Sequence, residues 1–201
     1  MSVDQLESAL LTVGALLEDQ GLSYVLVAIG GGALLLQDIV DRPTEDIDII
    51  ARVEHDGWVY AKPFPSPLQE VIRQVGLALE LPVAEYSDKD WLNAGPAILL
   101  QFGLPEGFEE RLTTRRFGGL TLRLASRYDL IHLKLWSATS ATRRARLEID
   151  LADLRALQPT QDEWADAVRW CARLDGRPGF LEHHARPVFQ KLGVSLEIDD
   201  G

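Results

Sequence analysis

A glycine cluster between two apolar runs constrains the fold of this chain more than any other sequence feature. Residues 23–29, SYVLVAI, are apolar and rich in β-branched side chains, which predicts a buried strand. The glycines at 30–32 then turn the chain into a short apolar helix over residues 32–40, because glycine tolerates the backbone angles of a tight turn. The RPT sequence at 42–44 ends that helix, since proline disfavours a helical residue before it.

The next predicted strand carries two aspartates. Residues 45–53, EDIDIIARV, alternate between polar and apolar. Asp46 and Asp48 are two positions apart, so their side chains should point to the same side, with Cα atoms about 6–7 Å apart. Adjacent carboxylates repel each other unless positive charge lies between them, and a pair of Mg²⁺ ions about 3.5–4 Å apart would provide it. A solvated strand face is the alternative, but the surrounding isoleucines indicate a mostly buried strand, where aspartate is unfavourable.

The glycine cluster itself allows two interpretations. Free backbone N–H groups at the start of a helix favour a bound phosphate, whereas a tight strand-to-helix turn needs glycine without any ligand. The cluster is neither the G-x-G-x-x-G dinucleotide fingerprint nor a P-loop. Taken with the D-x-D pair one element later, it favours a site for a metal–nucleoside triphosphate.

The rest of the chain predicts a mixed fold with a change of character near residue 125. The first part reads as a helix from Val3, the elements above, a helix within 62–81, and strands at 96–102 and 118–125. The later part reads as helices, two of them capped by Ser126 and Thr160. We therefore predict an α/β (α+β) protein with a small mixed β-sheet flanked by helices, followed by a C-terminal helical bundle. The predicted domains are 1–125 and 126–201.

Composition narrows the class of function. The formal charge of −11 argues against broad binding to DNA or to anionic membranes, although Arg143, Arg144 and Arg146 form a candidate local basic patch. No segment has the roughly 18 apolar residues of a membrane span, and the N-terminus lacks the pattern of a signal peptide. Cys171 is the single cysteine, which fits a reducing cytoplasm. No histidine or cysteine spacing suggests zinc.

Two segments resemble a known family. The pattern GG…RPTEDIDII, ending at Ile50, resembles the signature of minimal nucleotidyltransferases of the DNA polymerase β-like superfamily, in particular the branch of AbiEii-type toxins and related domains of unknown function. Residues 126–157 resemble a later motif of that branch, in which a helical lysine is followed by a basic residue, an aspartate and Asp-Leu. The resemblance covers most of residues 20–158.

The resemblance implies a nucleotidyltransferase core and a role for each matching residue. Asp46 and Asp48 would ligate Mg²⁺, expected as two ions, and a nucleoside monophosphate would move from a nucleoside triphosphate to an acceptor hydroxyl. The phosphate cradle would be Gly31 and Gly32, or a pair starting at Gly30.

Four further residues are candidates with open alternatives. Arg42 and Thr44 could touch phosphate, or could be a loop charge and a strand cap. By resemblance Lys134 faces the nucleotide phosphates, whereas on the bare sequence it could equally snorkel to solvent. Asp150 could pair with Arg146 or Lys134, or shape the acceptor side.

A third carboxylate is the missing part of the pattern. The resembled enzymes generally carry it on a neighbouring strand, where it completes the metal site and can take the acceptor's proton. We expect that strand at 96–102, where Gln101 is the only polar side chain. Other acids lie nearby in the sequence without a favoured spacing: Glu85, Asp88, Asp90, Glu106, Glu109 and Glu110. A catalytically silent nucleotide-binding or partner-binding module is therefore the alternative function.

The resemblance also suggests partners. The chain could be the toxin of a toxin–antitoxin pair, with an antitoxin as its protein partner. The acceptor could be RNA, a protein or a small molecule, and the −11 charge fits a large RNA poorly.

Overall fold

The structure is a computed structural model that describes residues 1–87, 89–140 and 145–195. It divides into two compact units, Met1–Ala125 and Ser126–Gly201. Within the described ranges the first unit holds a mixed sheet flanked by helices and the second holds helices, which confirms the predicted fold class. Three residues named in the sequence analysis lie outside the described residues: Asp88, one of the acids considered for the metal site, and Arg143 and Arg144 of the candidate basic patch.

The first unit alternates helices and strands along the chain. Its helices are α1 (Val3–Asp19), α2 (Gly30–Leu35), α3 (Ser66–Ala78) and α4 (Leu99–Phe102). Its strands are β1 (Tyr24–Ile29), β2 (Ile47–Glu54), β3 (Gly57–Tyr60), β4 (Leu92–Asn93), β5 (Thr113–Phe117) and β6 (Leu120–Leu124). The predicted helix from Val3 is confirmed as α1, and its apolar face is buried at Leu6, Leu10, Val13 and Leu17, so this helix covers the core.

The described strands form one six-stranded sheet in the order β3-β2-β1-β6-β5, with β4 paired to β2. Strand β2 runs antiparallel to both β1 and β3, whereas β1–β6 and β2–β4 are parallel. Strand β3 pairs with the far end of β2, from Ala51 to Glu54, and β4 pairs with its beginning, at Ile47 and Asp48. The start of β2 therefore lies between β1 on one edge and β4 on the other.

The predicted strand at 96–102 is wrong. The segment forms a short 3₁₀ turn, Gly95–Ile98, followed by α4. A short apolar run fits either a strand or a helix by periodicity, and Pro96 in the first turn favours the helical form because its φ angle is fixed and the missing N–H has no helical partner there. The sequence interpretation also missed the short strands β3, β4 and β5.

The second unit is helical in the part of the chain that the structure describes. Its helices are α5 (Arg127–Thr139), α6 (Leu147–Leu157), α7 (Gln161–Asp175) and α8 (Arg186–Leu192), the last preceded by a π-helical turn, Leu181–Ala185. Both predicted N-caps are confirmed: Ser126 accepts from the backbone N–H of Asp129, and Thr160 forms a capping box with Glu163. Cys171 is buried in α7, and this burial raises the pKa of its thiol. Among the described helices, none is long and apolar enough to cross a membrane.

Helix α1 packs against the β5–β6 turn through Gly14. A Cβ at this position would lie 1.5 Å from the backbone oxygen of Phe117. The backbone oxygen of Gly14 also accepts a hydrogen bond of 2.9 Å from the N–H of Gly119. Contact between the two backbones therefore requires a residue without a side chain.

We expect Gly14→Ala to destabilise the protein by about 2 kcal/mol or more. Overpacking costs up to about 3 kcal/mol, and here backbone blocks the added methyl group, while the better helix propensity of alanine returns about 1 kcal/mol. Urea unfolding measures the loss. Leu11→Ala, on the exposed face of the same helix, is the control and should change stability by no more than about 0.5 kcal/mol; similar midpoints for both variants would contradict the packing argument.

Candidate functional site

Asp46 and Asp48 converge on one side of the start of β2. Asp46 precedes the strand and is 3% exposed, and Asp48 is the second residue of the strand and is half-buried. The side-chain nitrogen of Asn93 donates to Asp46 Oδ2 and to Asp48 Oδ1, each over 3.0 Å. Since one amide group reaches both carboxylates, the two acids face the same small volume.

Asn93 is the functional residue that the sequence interpretation missed. It lies on β4, directly beside Asp48 in the register. Its Oδ1 accepts a 2.8 Å hydrogen bond from the N–H of Gly95, which fixes the amide with its NH₂ group toward the acids. A strand of two residues has no readable periodicity, so the sequence carried no signal for it.

Lys89 supplies positive charge to Asp46. Its Nζ lies 2.7 Å from Asp46 Oδ2 and 3.3 Å from Glu45 Oε2. A buried carboxylate requires such a partner, because removing an ion from water costs several kcal/mol when no charge or hydrogen bond compensates it. Lys89 lies in an irregular loop before β4, and no sequence pattern pointed to it.

The glycines allow α2 to approach the acid-bearing strand. Gly30 has a φ of +73° and begins α2, and a Cβ there would lie 2.5 Å from Asp48 Oδ2. A Cβ at Gly32 would lie 3.1 Å from the backbone oxygen of Asp46, and one at Gly31 would lie 3.2 Å from a guanidinium nitrogen of Arg42. All three glycines thus belong to the surroundings of the acid pair.

Thr44 and Arg42 lie on the loop that leads to Asp46. Thr44 is buried and its hydroxyl donates a 2.9 Å hydrogen bond to the backbone oxygen of Asp46. Its N–H donates to the backbone oxygen of Met1, so Thr44 anchors the residue that begins the acid pair. Arg42 is half-buried and donates to the backbone oxygen of Pro43, which leaves its guanidinium beside Gly31.

An open cavity of about 270 Å³ adjoins the acid pair. We call it the β4 cavity, and the residues that define it here are Lys62, Phe64, Gln69, Lys89, Asp90 and Asn93. Asn93 and Lys89 also contact Asp46, so two residues are shared by the cavity and the surroundings of the acid pair.

Lys134 and Asp150 lie in the helical unit, within a buried charge cluster. Lys134 Nζ is 2.9 Å from Asp150 Oδ1 and 2.6 Å from Asp153 Oδ2. Ser137 donates to the second oxygen of Asp150 over 2.7 Å. Of the two partners considered for Asp150, the structure therefore shows Lys134, and α5 is joined to α6 by this cluster.

We expect Lys134→Met to destabilise the protein by about 3–5 kcal/mol, because it leaves two buried carboxylates without their counter-charge. Urea unfolding measures the change. Lys191→Met is the matched control: its pair with Glu148 spans 3.4 Å between side chains that are 52% and 78% exposed, so its loss should cost less than about 1 kcal/mol. A Lys134→Met protein as stable as the control would contradict this role.

Comparison with known proteins places the chain in a family. No curated protein matches it significantly. Among solved structures it is similar to an antigenic nucleotidyltransferase-like protein from Paracoccidioides brasiliensis, with 16% sequence identity, a TM-score of 0.46, and coverage of 98% of this chain and 96% of that one. The profile of a family described as "Nucleotidyltransferase of unknown function (DUF6036)" matches residues 6–145. The matched range is more than half of the chain and includes α2, β2 and β4, so the protein belongs to this nucleotidyltransferase family.

Proposed function

We propose that the protein is a Mg²⁺-dependent nucleotidyltransferase that moves a nucleoside monophosphate from a nucleoside triphosphate to an acceptor hydroxyl. The observation that carries the proposal is the convergence of Asp46 and Asp48 on a single donor group beside Gly30. Two carboxylates brought together at a glycine turn have little structural value, because their repulsion must be compensated. A cation–polyphosphate complex supplies that compensation.

The acid pair suits Mg²⁺. Its carboxylate oxygens are directed at N–H groups, those of Asn93 and Lys89, which is the polarity that a cation requires. Among the described residues no group of three or more His, Cys, Asp or Glu side chains forms a metal cage. Mg²⁺ commonly binds through one or two carboxylates together with substrate phosphates, so Asp46 and Asp48 would hold it with the triphosphate. Two Mg²⁺ ions are proposed at this site. When bound, Mg²⁺ neutralises charge that develops on the phosphates.

In the proposed reaction an acceptor oxygen forms a bond to the α-phosphorus and the bond to the β-phosphate oxygen breaks, which releases pyrophosphate. Gly30, beside Asp48, and Gly31, beside Arg42, would present backbone to the triphosphate, and Arg42 would add positive charge for the phosphates. Thr44 positions Asp46 through its backbone. The amide of Asn93 cannot accept the hydroxyl proton, which would leave to Asp48 or to solvent.

The wider setting rests on the sequence resemblance. We propose a toxin related to the AbiEii-type branch, acting in the cytoplasm and controlled by an antitoxin partner. The acceptor classes in this proposal are RNA, protein and small molecules. Lys134 and Asp150 enter it through the resemblance alone, Lys134 as a residue that faces the nucleotide phosphates and Asp150 as one that shapes the acceptor side.

A catalytically silent nucleotide-binding module is the second candidate function. Asn93 favours it, because a neutral amide stands beside Asp48 where a third carboxylate would complete a catalytic metal site. The two candidates differ in outcome: both bind Mg²⁺–NTP, and only the enzyme transfers the nucleotide.

We expect Asp46→Asn and Asp48→Asn each to weaken Mg²⁺-dependent NTP binding by about 100-fold or more, since even outer-shell partners of a metal contribute ten- to 100-fold. Calorimetry with each of the four NTPs measures binding, and α-labelled NTPs with a cell extract measure transfer. Asp56→Asn, an exposed acid in the turn after β2, is the control and should bind like the wild type. Binding without any labelled product supports the silent module, and wild-type protein that binds no NTP refutes both candidates.

Lys89 should compete with a metal for Asp46. We expect Lys89→Met to raise the affinity for Mn²⁺, used alone as a probe, by about tenfold, or about 1.4 kcal/mol, because the metal no longer has to displace an ammonium group 2.7 Å from Asp46. Electron paramagnetic resonance of free Mn²⁺ measures the affinity. Lys62→Met, which removes an equal charge from the β4 cavity without contacting Asp46, should change it little. Unchanged or weaker Mn²⁺ binding in Lys89→Met would show that Lys89 is no competitor.

A further inference from the structure

The β4 cavity and the glycine turn lie on opposite edges of the acid-bearing strand. In the sheet register Asp48 is flanked by Ile29 of β1, the residue before Gly30, and by Asn93 of β4. Gly30 approaches Asp48 from the β1 edge. Asn93 reaches the same carboxylate from the β4 edge and also lines the cavity. The acid pair therefore stands between a backbone turn and a cavity.

This arrangement matches the stereochemistry of nucleotidyl transfer. In an in-line displacement the attacking oxygen and the leaving group lie on opposite sides of the phosphorus atom. With pyrophosphate on the glycine side of the acid pair, the acceptor hydroxyl would approach from the β4 side. The β4 cavity lies on that side, because Asn93 and Leu92 of β4 line it.

The chemistry of the cavity selects the acceptor. Lys62 and Gln69 are exposed, and neither side chain makes a hydrogen bond or ion pair with the described residues. The carboxylate of Asp90 accepts a 2.8 Å hydrogen bond from the N–H of Ala84, and Lys89 is held by Asp46. An ammonium and an amide are thus available to a ligand, and both can donate to an anionic group.

Size and charge also argue for a small acceptor. A volume of about 270 Å³ lies just below the usual range of about 300–1,000 Å³ for small-molecule pockets. A folded RNA would have to approach a protein with a net charge of −11, which electrostatics disfavours. A compact anion needs only the local positive charge of Lys62.

We propose that the β4 cavity is the acceptor subsite and that the acceptor is a small hydroxyl compound bearing a phosphate or carboxylate group. The inference rests on the proposed nucleotidyltransferase function. The acceptor's hydroxyl oxygen forms the bond to the α-phosphorus, pyrophosphate leaves toward the glycine turn, and the hydroxyl proton passes to Asp48 or solvent. Lys62 binds the acceptor's anionic group, and Gln69 donates a hydrogen bond to it.

The test uses the full-length protein, a mixture of the four α-labelled NTPs with Mg²⁺, and a cell extract separated into a small-molecule filtrate and a macromolecular fraction. We expect label in new compounds of the filtrate. Lys62→Glu should lower their yield about tenfold, equivalent to about 1.4 kcal/mol, while calorimetry shows unchanged Mg²⁺–NTP affinity. Gln69→Glu is a second variant with the same expected direction, and thermal unfolding verifies that both fold.

Arg73→Glu is the matched control. It makes the same charge reversal on α3, on a half-buried residue that pairs with Glu70 and Glu85 and does not line the cavity, so it should keep the wild-type yield. Label on RNA or protein, or a Lys62→Glu protein with weakened Mg²⁺–NTP binding, would overturn the inference; the latter would assign the cavity to the nucleotide. NTP binding without labelled filtrate also counts against it. Wild-type protein that binds no NTP refutes the proposed function instead.

Discussion

Compensation of negative charge at the start of β2 is the constraint on which the site depends. Asp46 is 3% exposed, and a buried carboxylate without partners would cost several kcal/mol. Lys89 and the amide of Asn93 supply those partners from the loop before β4 and from β4 itself. The same contacts therefore hold β4 beside β2 and keep the two carboxylates together. A cation between the acids would compensate their charge in place of Lys89 and Asn93. Metal binding would therefore be linked to the position of the loop that carries Lys89.

The glycine turn is the second half of this arrangement. Gly30 needs its left-handed φ and also its missing Cβ, because Asp48 Oδ2 would lie 2.5 Å from that atom. Gly32 lets α2 rest on the backbone at Asp46 and Ile47. The tight-turn and ligand-cradle interpretations are therefore not exclusive. The turn brings backbone close to Asp48, and a side chain at Gly30 would clash with that carboxylate.

The sequence predicted those elements whose pattern is local. The buried face of α1, the glycine turn from strand to helix and the caps at Ser126 and Thr160 follow from periodicity and from residues three apart, and the structure confirms them. The helix after the glycines is shorter than predicted: it begins at Gly30 and ends at Leu35, well before the RPT sequence. Strand β4 was beyond reach, because two residues carry no period and its pairing to β2 joins positions about 45 apart. The strand predicted at 96–102 was wrong for a related reason, because a short apolar run that starts with proline is compatible with a helix as well as with a strand. The contacts of Asn93 and Lys89 with Asp46 could not be predicted from the sequence, because they depend on the folded position of β4 and of the loop before it.

Two clusters among the described residues combine acidic side chains with one lysine, and their surroundings give them different chemistry. The side chain of Lys134 is 11% exposed and is held by Asp150 and Asp153 between two helices, so moving it would leave two charges inside the helical unit. Lys89 belongs to a loop, and its side chain is 27% exposed. Water can solvate its ammonium group if it leaves Asp46, which lowers the cost of exchange for another cation. A metal–nucleotide site needs a positive group that a cation can replace, as Lys89 could be. A helical core needs a positive group that stays in place, as Lys134 does. This difference in burial is the physical reason to look for ligand binding at Asp46 and for stability at Lys134.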